Sequence, residues 1–313
     1  MKLQLTAIAA AVALTVSFSA SAASNPVTET TNLNDVQWGV DNRSNGNTYT
    51  QDNTAWTTND LLTDNDFPTA RFSFTPGNLP DSNASGQNIE ATTQTGTGNS
   101  ASTVQTNTDN ESSIDQNGNL HFADTDQQGE GSYSRVNQHL GEGGVVNTLQ
   151  TGNDHRSAVD QLGNSFNGAD IYQEGSNNAS YVLQGTQPGG ADHNSAYVTQ
   201  AGGGNKSYIG QTHGDHNIAS ATQNGTDGTS YIIQMGGSNE ATLIQNMNAD
   251  QNESYILQDN QGFLAVGGHY AKVTQGGGSS NIATVTQLGQ ASANAHSTVN
   301  QSGGSNQASV LQY

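Results

Sequence analysis

The sequence predicts an all-β protein, a two-sheet β-solenoid built as a β-arch stack of about nine and a half strand-turn-strand coils. Three observations predict it. A seven-residue phrase closing on Gln recurs nineteen times, most copies eleven or twelve residues apart, at Gln94, Gln105, Gln116, Gln127, Gln138, Gln150, Gln161, Gln173, Gln184, Gln200, Gln211, Gln223, Gln234, Gln245, Gln258, Gln275, Gln287, Gln301 and Gln312. The constrained positions inside the phrase share one parity. Changes of length fall between phrases, never within them. A stacked array is governed by its neighbours and not by one central core, so the repeat is read before any single element.

Six residues before the closing Gln stands Asn in twelve copies, among them Asn167, Asn178, Asn194, Asn205, Asn217, Asn239, Asn252, Asn281 and Asn306. Four before it stands Ala or Ser in seventeen, and two before it an aliphatic residue, Thr or Ala in all nineteen. A period of two is that of a strand with one chosen face, so Asn, small residue, aliphatic and Gln point the same way. Helix loses because Gly recurs too often to leave an apolar stripe at helical spacing.

The connections come next. A stretch such as Gln173-Glu174-Gly175-Ser176-Asn177-Asn178 can arch over, so that consecutive strands face each other as two sheets. Ile171 then lies opposite Ser180 and Val182 near Ala169, and large against small fills a sheet separation of ~10 Å without voids. Alternate strands stack in parallel at ~4.8 Å, placing like on like, with Gln and Asn as buried amide ladders. On the outward parity, Tyr181, Tyr208, Tyr231 and Tyr255 fall on alternate strands and predict a single outer row of stacked rings. Ser holds the small position on those strands and Ala mostly holds it on the others. A lone coil buries too little to fold, so both ends of the stack are expected to present unpaired edges.

In chain order, residues 1–22 read as a signal peptide: Lys2, an apolar run from Leu3 to Phe18, and Ala20-Ser21-Ala22 as the cleavage site. The chain is therefore expected to be secreted, and without Cys it needs no disulfide on the way. Residues 23–86 lack the repeat and gather Trp38, Trp56, Phe67, Phe72, Phe74 and three prolines. They read as an irregular segment, a possible export or anchoring tag, with a short hairpin around Arg71-Phe72-Ser73-Phe74. Residues 87–313 form the array. Its early strands carry outward charge at Asp115, Asp124, Asp126, Arg135, Arg156, Asp160 and Asp170, and its late strands carry more Val, Ile and Tyr. Longer arches follow Gln184, Gln258 and Gln287, the second with an apolar spot at Phe263, Leu264 and Val266.

A formal charge of −20 argues against nucleic acid or an anionic membrane as partner. Like charges meet in a stack, so assembly is expected to quicken as pH falls toward the isoelectric point. Asp and Glu are scattered through short arches with no nucleophile, base or paired-acid constellation, so no enzyme, cofactor or small-molecule substrate is expected. His213, Asp215 and His216, with His193 one arch earlier, lack the ligand spacing of a metal site on a rigid element.

The residues Ser207, Gln211 and Gly214 followed by Asn217, Ala219 and Gln223 resemble the curlin repeat of bacterial curli fibre subunits, and the resemblance extends over 87–313. It implies a secreted subunit that leaves through an outer-membrane export pore, meets a nucleator subunit at the cell surface, and polymerises with itself into extracellular amyloid fibres of biofilm matrix and adhesion. The array is longer than that of familiar subunits, and the leader lacks their Gly-rich tag. The intact, uncharged last copy, Asn306, Ala308, Val310 and Gln312, resembles the fibre-forming subunit more than the nucleator. The rival reading is a monomeric extracellular β-solenoid, an adhesin or ice-binding protein, which would show flat outward rows of Thr.

Overall fold

A computed structural model describes residues 86–312 except 164, 186–192, 213, 247–249, 260–267 and 290–294, together with 41–44 and 48–50. The signal peptide, the hairpin expected at Arg71 to Phe74, the apolar spot at Phe263 to Val266 and His213 lie outside the described residues. Within the segment read as irregular, the described residues form β1 (Asp41–Ser44) and β2 (Thr48–Thr50), which pair antiparallel, Asp41 with Thr50 and Ser44 with Thr48.

The all-β, two-sheet solenoid expected from the sequence is what the array forms. Its first strands, β3 (Ile89–Thr95) and β4 (Ser100–Thr106), and its last, β20 (His296–Ser302) and β21 (Gln307–Gln312), bound two parallel sheets. Odd-numbered strands from β3 to β21 make a ten-stranded sheet and even-numbered strands from β4 to β20 a nine-stranded one. Register follows the closing Gln. β10 (Gly168–Ser176) pairs with β12 (Ser195–Gly203) so that Ala169 meets Ala196, Ile171 meets Val198 and Gln173 meets Gln200. β11 (Ala179–Gln184) pairs with β13 (Lys206–Thr212), placing Ser180 on Ser207 and Val182 on Ile209.

Between the sheets, Ala169, Ile171, Val182, Ala196, Val198 and Ile209 belong to one continuous apolar seam that runs the length of the stack. Early coils fill the same seam with Thr125 and Thr148, which are buried. The seam is therefore least apolar where the array begins.

Most of the described arches turn at a left-handed corner one residue before the leading Asn position, as at Asp154 (φ 56°), Phe166 (φ 60°), Asn177 (φ 57°), His193 (φ 58°) and His216 (φ 61°). Asn, Asp and Gly tolerate this region best and account for many of the corners. Corner N–H groups bond to the coil below, as Phe166 N to Glu142 O at 2.8 Å and His193 N to Ser165 O at 3.1 Å. Gly175 shows why the arches need glycine: it has φ +105°, and a Cβ there would run into the carbonyl of Gly202 one coil on.

The two outer faces differ, and here the structure corrects the sequence reading. The Tyr row does stack, with ring centroids 5.3 Å apart for Tyr181 and Tyr208, 6.3 Å for Tyr208 and Tyr231, and 5.1 Å for Tyr231 and Tyr255. It is not open to solvent. Tyr181, Tyr208, Tyr231 and Tyr255 are 2%, 0%, 3% and 5% exposed, whereas Tyr197 on the outer face of the other sheet is 44% exposed. Two charges expected at the surface are buried too: Arg135 Nη2 sits 2.8 Å from Asp160 Oδ2, whose other oxygen accepts from Asn137 Nδ2 at 2.8 Å. These two act as a pair and not as repelling brakes.

Candidate functional site

In a stacked array the surface that repeats along the axis is the candidate site, because each coil meets the next through it. Two columns of glutamines run through the interior. In the ten-stranded sheet, Gln161 Nε2 donates to Gln184 Oε1, Gln184 to Gln211, Gln211 to Gln234 and Gln234 to Gln258, each at 2.9 Å. The column continues from Gln258 to Gln287 at 2.9 Å and from Gln287 to Gln312 at 2.8 Å. In the nine-stranded sheet, Gln173 donates to Gln200 at 2.8 Å, Gln200 to Gln223 at 2.9 Å, Gln223 to Gln245 at 3.0 Å and Gln245 to Gln275 at 3.1 Å. The separation along the chain ranges from 22 residues, between Gln223 and Gln245, to 30, between Gln245 and Gln275, while the bond length hardly changes. Arches absorb the difference, so strand register is the conserved quantity within the molecule.

The columns have a direction. Besides its partner glutamine, Nε2 at most steps reaches a backbone carbonyl in the facing sheet: Gln184 donates to Gly168 O at 2.8 Å and Gln211 to Ser195 O at 3.0 Å. A carbonyl only accepts, so the amide cannot be flipped without losing that bond, and its Oε1 is left facing the preceding coil. Every step thus donates toward the later coil. One end of the stack presents donors and the other presents acceptors.

Asparagine works differently from the expected side-chain ladder. Asn178 Oδ1 accepts from the backbone N–H of Asn205 at 3.0 Å, Asn194 Oδ1 from Asn217 at 2.9 Å, and Asn252 Oδ1 from Asn281 at 2.8 Å. The same bond links Asn167 to Asn194, Asn217 to Asn239 and Asn281 to Asn306. Asn178 Nδ2 meanwhile donates to Glu174 O at 2.9 Å and Asn205 Nδ2 to Gly225 O at 2.8 Å, tying down the arch. Asn therefore secures backbone against backbone, and it is an arch clamp as much as a stacking group.

The family comparison bears on this geometry: the curlin associated repeat is matched at residues 167–202 and again at 190–225, a span that includes Gln173, Gln184, Gln200, Gln211 and Gln223 of the two columns. The chain carries the curlin associated repeat at residues 167–225. No curated protein sequence matches it significantly.

Three histidines occupy the Asn position of the array, and the sequence reading did not single them out. His121, His155 and His269 are 2%, 0% and 2% exposed. Their Nδ1 atoms stand where Asn Oδ1 stands elsewhere, accepting from Gly144 N at 3.2 Å, Asn178 N at 3.4 Å and Ala295 N at 3.1 Å. His155 Nε2 lies 3.1 Å from Thr151 O, copying the Nδ2 bond. Only the neutral ring protonated on Nε2 makes both bonds. Burial lowers the affinity of all three for a proton, and the neighbouring His139 lowers that of His121 further. The available signal was positional: a His six residues before the closing Gln, three times in frame.

Among the described residues no cluster of His, Asp and Glu has the makings of a metal site. His193 and His216 instead stack on one another at 5.1 Å, with Phe166 stacked on His193 at 5.2 Å, along one edge of the arches.

The end coils differ from the middle. β21 alternates between exposed and half-exposed residues along its length, and its outward Leu311 is 37% exposed. Among the described residues, the outer edges of β21 and β3 have no strand beside them, nor do those of β20 and β4.

Proposed function

We propose that this chain is a secreted structural subunit that polymerises end to end into extracellular amyloid fibres of the biofilm matrix, serving cell adhesion. The observation that carries this reading is the uniform direction of the glutamine columns. The donor end of one copy complements the acceptor end of the next, a head-to-tail interface that closes no ring and so propagates as a filament. Strand edges that have no neighbour among the described residues, at both ends, supply backbone pairing in the same direction. On this reading Asn167, Gln173, Asn178, Gln184 and their counterparts are stacking residues, not a binding pocket. A nucleator subunit and an outer-membrane pore are the partners the family likeness suggests.

Purified mature chain, desalted from denaturant, should convert to fibres that bind amyloid dyes. A monomer that stays stable in sizing chromatography would favour the adhesin or ice-binding reading. The outer face of the nine-stranded sheet speaks against ice binding: Asn147, Asp170, Tyr197, Ser220 and Thr242 succeed one another along it and make no row of Thr.

A further inference from the structure

A solenoid of two sheets buries one face of each. The ten-stranded sheet nevertheless has both faces buried across most of its width. Its outward side carries the Tyr row and, beside it, Leu183, Ile233 and Leu257, which are 1%, 1% and 2% exposed, with Met235 and Leu288 also buried. These residues form an apolar cluster separate from the inner seam. Strands alongside cannot close such a surface, since Tyr197 has strands on both sides and remains open. A third layer is required.

We propose that residues 23–85 of the same chain are this layer, docked along the outer face of the ten-stranded sheet so that self-association is confined to the ends of the array. Position favours it: the chain enters the array at β3, the edge strand of that sheet and not of the other. Length suffices. The covered face runs from β5 (Glu111–Asn119) to β19 (Ile282–Leu288), about 34 Å at ordinary strand spacing. A segment of 63 residues reaches several times that when extended.

Composition fits as well. The segment holds both tryptophans of the chain together with Phe67, Phe72 and Phe74, large apolar side chains suited to a surface of Tyr, Ile, Leu and Met. The covered face would otherwise be an apolar patch open to other filaments. Covering it leaves the polar face of the nine-stranded sheet as the flank of the stack. The effect on association rests on the polymer reading, but the docking does not.

The two tryptophans, Trp38 and Trp56, make the test direct, since the array itself has none. In the full mature chain, freshly folded and still monomeric, tryptophan emission should be blue-shifted and acrylamide quenching several-fold weaker than in the urea-unfolded chain. The double substitution Ile233→Asp with Leu257→Asp should return both signals to the unfolded values while the strand signal in circular dichroism persists. Thr199→Asp, on the opposite outer face, should leave them unchanged. Unfolded-like emission and quenching in the folded wild-type monomer would overturn the proposal, whether or not the variants fold. So would a stable dimer with solvent-exposed tryptophans, which would make a second copy the cover. These readings are taken before assembly, so they stand apart from whether fibres later form.

Discussion

The glutamine and asparagine columns lie within one stack, obey the same register and solve the same problem in different ways. Glutamine joins side chain to side chain, and every coil keeps it. Asparagine joins its side chain to the next coil's backbone, and the array replaces it with His121, His155 and His269, with Ser132, with Ala295 and with Gly144 and Gly228. The reason is stereochemical. A ladder of identical amides needs the donor and acceptor of every member, and any replacement strands both neighbours. A backbone N–H donates to any partner that presents a lone pair, which an imidazole Nδ1 does.

The sharpest way to break this contrast is at glutamine. Replacing Gln173, Gln184, Gln200 and Gln211 by Leu should cause the largest loss, because Gln150 and Gln161 each lose the acceptor, and Gln223 and Gln234 each lose the donor, of a buried column bond, at about 1–3 kcal/mol each. Fibre formation should slow severely while export continues. Kinetics equal to wild type would remove the ladders from the account.

Asparagine should cost less. Asn205→Ala removes the acceptor of Gly228 N and the two arch bonds to Ala201 O and Gly225 O. A loss of about 1–3 kcal/mol is expected in urea unfolding. Asn205→His should recover much of that loss above pH 7 and little below pH 6, a split that would sharpen the comparison.

The natural histidines give a smaller effect with a definite sign. Their folded-state proton affinity is lowered, so the folded array binds fewer protons than the unfolded chain once pH drops to the free-imidazole value of about 6.5. Stability is full above that pH and declines as pH falls from there through the lowered folded value. This opposes the quickening of assembly expected from approach to the isoelectric point. Replacing His121, His155 and His269 together by Asn should leave lag times unchanged above pH 7 and shorten them near pH 5.5. Lag times equal to wild type at both would deny the histidines this role.

The smallest effect is expected at the small inward position. Ser180→Ala removes the hydroxyl that accepts from Gln173 Nε2 at 3.3 Å, but that Nε2 also reaches Arg156 O and Gln200. A loss of about 0.5 kcal/mol or less should be seen.

Strand register was legible because the phrase states it: one position fixed at Gln, parity fixed by Ala and Ser, and length changes excluded from the strands. The facing of sheets followed from large against small. The corner at Phe166 or His193 was not legible, since the alphabet there is mixed and the constraint is a backbone angle. The buried outer face was legible in part. Tyr181-Val182-Leu183, Tyr231-Ile232-Ile233 and Tyr255-Ile256-Leu257 are continuous apolar runs, the mark of a parallel strand covered on both sides, and reading only alternate positions concealed it.

Cryo-electron microscopy of fibres grown from the purified mature chain tests the central claim most directly. The account predicts a ~4.8 Å rise between coils that runs unbroken across each subunit junction, with Gln301 and Gln312 of one copy continuing into Gln105 and Gln94 of the next. Fibres in which copies meet through their outer faces, with the glutamine columns ending at every subunit, would contradict it.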